Sequence, residues 1–359
     1  MTSSDLAPPA AAGPAPAGQD LPLAALTTLR VGGPARRLVR ASSEAELIEA
    51  VRSCDEAGEP LLVLGGGSNV LVADAGFAGT VVLVATSGTE LVDCGCGYPT
   101  LRVAAGEDWD AVVVRAVEES LAGIECLSGI PGTAGATPVQ NVGAYGQEVS
   151  STVERVRAYD RVERRVRTFP VGDCGFGYRT SRFKQEPGRY VVLEVEYALR
   201  PASMSDPVRY AELARALGIE TGARAPLPAV REAVLALRAA KGMVLDADDP
   251  DTWSAGSFFT NPVLAPDDAA ALPAEAPRWP AGDGLVKVPA AWLIEQAGFG
   301  KGYGTGLARL STKHTLALTN RGGAAAADLA ALAREVRDGV RARFGIELVP
   351  EPVLVGLSL

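Results

Sequence analysis

Residues 60–69 read Pro60-Leu-Leu-Val-Leu-Gly-Gly-Gly-Ser-Asn69. A four-residue apolar run between a proline and a cluster of glycines fits a short buried strand. The loop that follows at once can turn freely, so successive backbone N–H groups can point at one anion. Gly65, Gly66 and Gly67 supply the freedom, and Ser68 and Asn69 add side-chain donors. A plain tight turn explains the same residues, and one such loop does not choose between the two. Neither a Rossmann Gly-x-Gly-x-x-Gly nor a P-loop Gly-Lys-Ser/Thr is present, so two common nucleotide-binding modes drop out.

Working outward, Ser42 to Gly58 predicts a helix. Ser43 caps it, Glu46 completes a capping box, Leu47, Val51 and Cys54 share a face, and Gly58 follows the end. Strand-like runs lie at Thr80–Ala85 and Leu101–Ala105, and Asp108 caps a second helix to about Leu121. This alternation predicts a first α/β unit. From Gly123 to Gly146 the chain has many glycines and little periodicity, the pattern of a segment that wraps a ligand. Strands are expected at Val153–Tyr159, Val162–Phe169 and Tyr190–Leu199. The last alternates Val191, Leu193, Val195 against Val192, Glu194, Glu196. Helices follow at about Val208–Leu217 and Ala229–Lys241. A polar turn at Asp246–Asp251 opens a final α+β segment that ends in a helix from about Ala325 to Phe344.

The 359 residues suffice for two or three domains. A net charge of -9 argues against a general role in binding nucleic acid or acidic membranes, which need cationic surface, though a local basic pocket remains open. Five cysteines (Cys54, Cys94, Cys96, Cys126, Cys174) lack metal-ligand spacing and the chain has one histidine, so isolated reduced thiols and no metal site are expected. The Ala/Pro-rich first twenty residues read as a disordered leader rather than a signal peptide. No run of about 18 apolar residues offers a membrane span, and a cytoplasmic protein with no indicated protein partner is expected.

Other stretches carry chemistry-bearing residues, each with a plainer explanation. Gly132-Thr133 and Gly143 form a second glycine-rich region, which would let a pyrophosphate sit between two cradles. Arg179, in Phe176-Gly-Tyr-Arg179-x-Ser181-x-Phe183-Lys184, could take a carboxylate or phosphate in bidentate fashion or be an ordinary surface arginine. Ser257, in Gly256-Ser-Phe-Phe-Thr-Asn261-Pro262, has no Gly-x-Ser-x-Gly elbow, and a Ser–His nucleophile would have to use His314. A lone histidine is commonly a satisfied structural residue, and Glu351 by itself reads as a solvated tail residue.

The order of these signals is more specific than any one of them. Leu64-Gly-Gly-Gly-Ser-Asn69, Ile130-Pro-Gly-Thr133, Gln140-Asn-Val-Gly-Ala-Tyr-Gly146, Tyr178-Arg179-x-Ser181 and Gly256-Ser-Phe-Phe-x-Asn-Pro262 together resemble the UDP-N-acetylenolpyruvoylglucosamine reductases, from Thr27 to Glu351. The resemblance implies an α+β fold: a two-part FAD-binding region of the vanillyl-alcohol-oxidase (PCMH) type plus a C-terminal α+β substrate-binding domain. The expected division is a leader at 1–20, FAD-binding subdomains at 21–95 and 96–240, the second with a substrate loop, and the substrate domain at 241–359.

It implies bound FAD, NADPH as co-substrate, and reduction of UDP-N-acetylglucosamine enolpyruvate to UDP-N-acetylmuramate for peptidoglycan. Residues 65–69, Ile130, Pro131, Gly132, Thr133 and Gly143 would hold the cofactor. Ser257 matches the family's proton donor, while Arg179 and Glu351 match the two residues that support the enol-like intermediate. Tyr145, Lys241, Asn261 and His314 match substrate-contacting positions, and Lys241 would meet either a phosphate or the reacting carboxylate. Tyr210 resembles the tyrosine of the subgroup whose extra loop covers the nucleotide sugar. One departure concerns Val349-Pro-Glu351-Pro-Val353, where the family usually has Leu-Glu-Pro-Glu-Val; Glu347 is a nearby acid that competes for the assignment. A flavin oxidase of the same cofactor fold and a non-catalytic nucleotide-sugar-binding relic are the rival readings.

Overall fold

The computed structural model describes residues 22–93 and 98–359; the expected leader and the Cys94–Cys96 pair lie outside the described residues. Strands Ala35–Ala41, Phe77–Val84 and Leu61–Leu64 lie side by side in that order and run parallel. The helix Glu44–Ala57 follows the first of them, because Leu47, Val51 and Cys54 fall on one face and bury together. Ser43 caps it by accepting from the Glu46 N–H at 3.2 Å, and Gly58 ends it in the left-handed conformation that glycine tolerates. The reciprocal half of the expected capping box is displaced. The Glu46 carboxylate accepts from the N–H and hydroxyl of Ser42, at 2.8 and 2.7 Å, one residue further out.

The strand Pro99–Ala104 does not join this parallel unit as the alternation predicts. It forms an antiparallel hairpin with Thr89–Asp93, and its other edge pairs with Tyr190–Ala198. The result is a five-stranded antiparallel sheet, with Val153–Asp160 and Arg165–Pro170 completing the other side. In Tyr190–Ala198 the alternation predicts one wet face, yet Val192 and Glu196 are buried along with Val191, Leu193 and Val195. Arginines of the flanking strands cover the carboxylates: Arg102 Nε lies 3.3 Å from Glu196 and Arg157 Nη1 3.3 Å from Glu194.

Other departures at element ends have local causes. The Asp108-capped helix Trp109–Glu118 stops short of Leu121, because Ser120 turns at φ 55° and Leu121–Ala122 pairs with Arg200–Pro201. Val208 stays extended because its N–H and carbonyl are bonded to Ala223 and Gly222, both at 2.8 Å, so the next helix is Ala211–Leu217. It packs with the helix Leu227–Ala240 around Leu213, Val230, Val234 and Cys126. The strand expected from Val162 begins at Arg165, since Asp160 accepts from the N–H groups of Val162 and Glu163, at 3.0 and 3.1 Å, and forms a turn there.

The C-terminal part packs the helices Ala290–Gln296 and Ala326–Phe344 and the hairpin Ala308–Leu310/Leu318–Asn320 around Phe258, Phe259, Leu293, Ile294 and Val336. Leu29, Val31 and Leu71, from the start of the chain, are buried in this same core. The chain then returns: Val353–Val355 pairs parallel with Val70–Val72, next to the glycine-rich loop. Among the described residues no helix is long and apolar enough to cross a membrane, no group of three or more potential metal ligands occurs, and Cys54, Cys126 and Cys174 are buried free thiols.

Asp160 gives a pH test of this fold. Burial opposes its charge, but Arg189, the two turn N–H groups and Arg167 outweigh it and hold the carboxyl at about 2. An unfolded aspartate titrates near ~3.9. The folded value is the lower one, so its stabilisation is complete above the unfolded pKa and is lost as pH falls from about 4 through about 2. Asp160→Asn should cost roughly 1.5–3 kcal/mol at neutral pH and remove that acid-side loss, read by urea unfolding across pH.

Candidate active site

The two glycine-rich regions meet. An added Cβ on Gly66 would lie 2.6 Å from Gly132 Cα, one on Gly65 would lie 2.6 Å from Thr133 Oγ1, and one on Gly67 would run into the Leu26 carbonyl oxygen. Glycine is therefore required by close backbone approach between loops as well as by any ligand. Ser68 donates to the Pro131 carbonyl at 2.9 Å, and the Asn69 amide donates to Gln140 Oε1 at 2.8 Å. The side-chain donors expected to face an anion are thus engaged in joining the loops, and what remains toward the open side is bare backbone.

That open side is a cavity of ≈ 1140 Å³. All the residues singled out from the sequence line it: Gly65, Gly66, Gly67, Ser68, Asn69, Ile130, Pro131, Gly132, Thr133, Gly143, Tyr145, Arg179, Tyr210, Lys241, Ser257, Asn261, His314 and Glu351. Glu347 is exposed and lies outside it, so position selects Glu351 over its nearby rival.

Glu351 arrives by way of the returning C-terminal segment. Its N–H donates to the Phe258 carbonyl at 2.9 Å, and the Val353 N–H donates to the Asn69 carbonyl at 3.0 Å. Pro350 and Pro352, which have no N–H, occupy the alternate positions, so the unusual Pro-Glu-Pro sequence leaves both donors in place. The Glu351 side chain is 11% exposed, with Oε1 3.2 Å from Arg179 Nε and 3.3 Å from the Gln140 amide. Burial raises its pKa above the usual carboxylate value, while Arg179 and Lys184 pull it back without fully offsetting the rise.

Arg179 sits at φ 53° in the turn 177–180. Its Nη2 donates to the Gly143 carbonyl at 2.9 Å and Nη1 to the Asn141 carbonyl at 3.4 Å, while the buried Nε faces Glu351 Oε1 as an ion pair at 3.2 Å. Asn141, at φ 49°, braces this corner by donating to Glu148 and to the Gly177 carbonyl, at 2.8 and 3.0 Å. With Tyr145 at φ 48°, three of the seven positive-φ non-glycine residues among those described lie here. Such strain persists where surroundings over-determine it, commonly at functional sites.

Ser257 follows Gly256, whose φ of 70° suits glycine, and precedes Phe258 and Phe259, which are buried in the C-terminal core. The two rings anchor the segment and leave the serine on the cavity wall. Asn261 also lines the wall, but its Oδ1 accepts from the Ala290 N–H at 2.9 Å and so caps the helix Ala290–Gln296.

At another part of the wall, Tyr145 and Tyr210 meet edge to face at 5.4 Å, and Lys241 Nζ lies 5.6 Å from the Tyr145 ring and 2.6 Å from Glu212. Burial pushes the Tyr145 hydroxyl up to about 12, so it remains a donor. Arg238 beneath them is buried, its Nε lacks a partner, and burial pulls it down to about 10. The bare glycine backbone of the two loops, with Arg179, Lys184 and Lys241 also on the wall, fits a large ligand with anionic groups, as FAD is. Gln140, Lys184, Glu212 and Arg238 were not chosen from the sequence. Gln140 and Lys184 lie inside quoted motifs, and Glu212 and Arg238 lie two residues after Tyr210 and three before Lys241.

Comparison with known proteins gives two family matches. The UDP-N-acetylenolpyruvoylglucosamine reductase C-terminal domain matches residues 248–355, and an FAD binding domain matches residues 35–168. The chain is 58% identical to the UDP-N-acetylenolpyruvoylglucosamine reductase of Streptomyces avermitilis over 95% of both chains. It is 58% identical to that of Cutibacterium acnes, over 95% of this chain and 91% of the relative. The crystal structure of the UDP-N-acetylenolpyruvylglucosamine reductase from Thermus caldophilus matches with a TM-score of 0.66 and 26% identity, over 94% of this chain and 98% of that one.

His314 offers a direct check of the cavity's electrostatics. Burial, then Lys241 and Lys301, lower its pKa to about 4 against a small opposing effect of Glu212. As the chain has one histidine, proton NMR should show a single imidazole that does not titrate between about pH 5.5 and about 8. A midpoint near ~6.5 would place it in solvent.

Proposed function

The chain belongs to the family of UDP-N-acetylenolpyruvoylglucosamine reductases, and on that premise we propose that Arg179, Glu351 and Ser257 form its reaction centre. The protein is an FAD-dependent oxidoreductase that uses NADPH to reduce UDP-N-acetylglucosamine enolpyruvate to UDP-N-acetylmuramate, a step of peptidoglycan precursor synthesis. The observation that carries the assignment is the convergence of these three residues, distant in sequence, on the wall of the cavity that the glycine-rich loops also line.

Gly65 to Asn69, Ile130 to Thr133 and Gly143 would hold FAD. When bound, FAD supplies the hydride that NADPH delivers to it. Reduction at the enolpyruvyl methylene leaves negative charge on the neighbouring carbon and its carboxylate. Arg179, fastened to two loop carbonyls, presents a fixed cation to that charge, and loss of one such donor typically lowers kcat by ~10²–10³. Glu351 sets the orientation of Arg179 and is itself held by Gln140. Ser257 then delivers a proton to the charged carbon. Tyr145, Tyr210, Lys241, Asn261 and His314 would bind the nucleotide sugar, with Lys241 turning from Glu212 to an anionic group of the substrate. Such chemistry, with soluble nucleotide substrates, is assigned to the cytoplasm. The proposed domains are residues 21–95, 96–240 and 241–359, the hairpin of Thr89–Asp93 with Pro99–Ala104 joining the first two.

The test is an anaerobic visible spectrum of the purified protein, titrated with NADPH and then with the enolpyruvyl sugar. The flavin band should bleach and then return. In Ser257→Ala the NADPH phase should be unchanged, while the sugar phase slows by ~10²–10⁴-fold. A variant that reoxidised at the wild-type rate would remove Ser257 from its role, and a band that returned only with oxygen would favour an oxidase.

A further inference from the structure

We propose that Lys184 is a positioning residue for the Arg179–Glu351 pair, fixing the main chain of Arg179 and adding a second cation to that cluster. This inference rests on the reading of that pair given above.

Lys184 lies in the short helix Arg182–Gln185 on the cavity wall. The helix is tied to the glycine-rich 130s loop just before it, where the Ser181 hydroxyl donates to the Val139 carbonyl at 2.6 Å. From there Lys184 Nζ donates to the Arg179 carbonyl at 3.1 Å. Arg179 is thus held at both ends, its carbonyl by Lys184 and its guanidinium by the carbonyls of Asn141 and Gly143. Its φ of 53° is unfavourable for a residue with a side chain, so the backbone needs an outside contact to stay there. The ammonium supplies one that a solvated lysine would not.

The charge count points the same way. Arg179 and Glu351 alone sum to zero, whereas the substrate carboxylate and the charge that develops beside it are negative. With Lys184 the cluster carries one net positive charge toward the cavity. The titratable groups that face Glu351 are Arg179 and Tyr178, from the turn 177–180, and Lys184, from the following helix; Gln140, on the third side, is neutral. Burial disfavours the charged form of both Glu351 and Lys184; Arg179 and then Lys184 offset this for Glu351, and Glu351 offsets it for Lys184. A lysine exposed on a loop would have no such reciprocal effect.

The test uses the flavin-loaded full chain and follows the two half-reactions separately under anaerobic conditions. Lys184→Met keeps much of the side-chain length but removes the charge and the donor. Bleaching by NADPH should keep its wild-type rate, while reoxidation by the enolpyruvyl sugar should slow by roughly 10–100-fold. Loss of a cation should also move the limb of the pH profile that belongs to Glu351 to higher pH. Lys184→Arg, which keeps the charge and a donor, should recover most of the rate. The proposal is overturned if Lys184→Met reoxidises at the wild-type rate with an unmoved limb. It is equally overturned if both half-reactions fall together with the melting temperature and arginine gives no rescue, because the residue would then serve packing alone. Arg179→Lys, measured alongside, separates the two levels: if that variant also reoxidises normally, the reading of the Arg179–Glu351 pair itself fails.

Discussion

The parallel pairing of Val353–Val355 with Val70–Val72 fixes where the last carboxylate of the site can be. The segment that carries it leaves the C-terminal core beside Phe258 and Phe259, and the strand after it lies down against the segment that follows the glycine-rich loop. Asn69 then bonds to Gln140, Gln140 to Glu351, and Glu351 faces Arg179, so four separate parts of the chain close on one another. Together with the bond of the Glu351 N–H to the Phe258 carbonyl, that pairing holds the carboxylate where it faces Arg179. A few main-chain hydrogen bonds thus decide the electrostatics of the cavity.

Those electrostatics are held against burial. Glu351, Lys184, Arg238 and His314 all sit where burial disfavours charge. Buried charges persist only when paired or hydrogen-bonded. Glu351 meets that condition through Arg179 and Gln140. Arg238 meets it only in part, since one nitrogen bonds to the Met243 carbonyl while Nε has no partner. The left-handed residues Asn141, Tyr145 and Arg179 add backbone strain at the same place. The stability to bear this lies elsewhere, in the five-stranded sheet and the C-terminal helices.

Strand alternation, caps and glycine clusters are local signals and made the kinds of element legible, whereas Ser257, Glu351 and His314, each plain by itself, were legible only through the resemblance that the ordered motifs carry. The sequence's failures were failures of partner. Nothing in Leu101–Ala105 tells whether it pairs with a parallel unit or turns back on Thr89–Asp93. The glycines at 65–67 looked like an anion cradle, and only the packing of Gly132, Thr133 and Leu26 against them shows the second reason they are glycine. Glu194 and Glu196 looked solvent-facing because the arginines that cover them come from other strands. Glu351 was the reverse case, where its flanking prolines cast doubt on a position that the alternating N–H donors resolve.

Leu29, Val31 and Leu71 belong by sequence to the cofactor half but are buried in the core of the substrate half. The two regions matched by separate domain families are therefore not interchangeable cassettes. A chimera that joined the first half of this chain to the second half of a distant relative would put a foreign apolar surface against these three side chains and a foreign strand against Val70–Val72. A working chimera would have to carry Leu29, Val31 and Leu71 together with the late half that buries them. The unit of inheritance is accordingly wider than either domain.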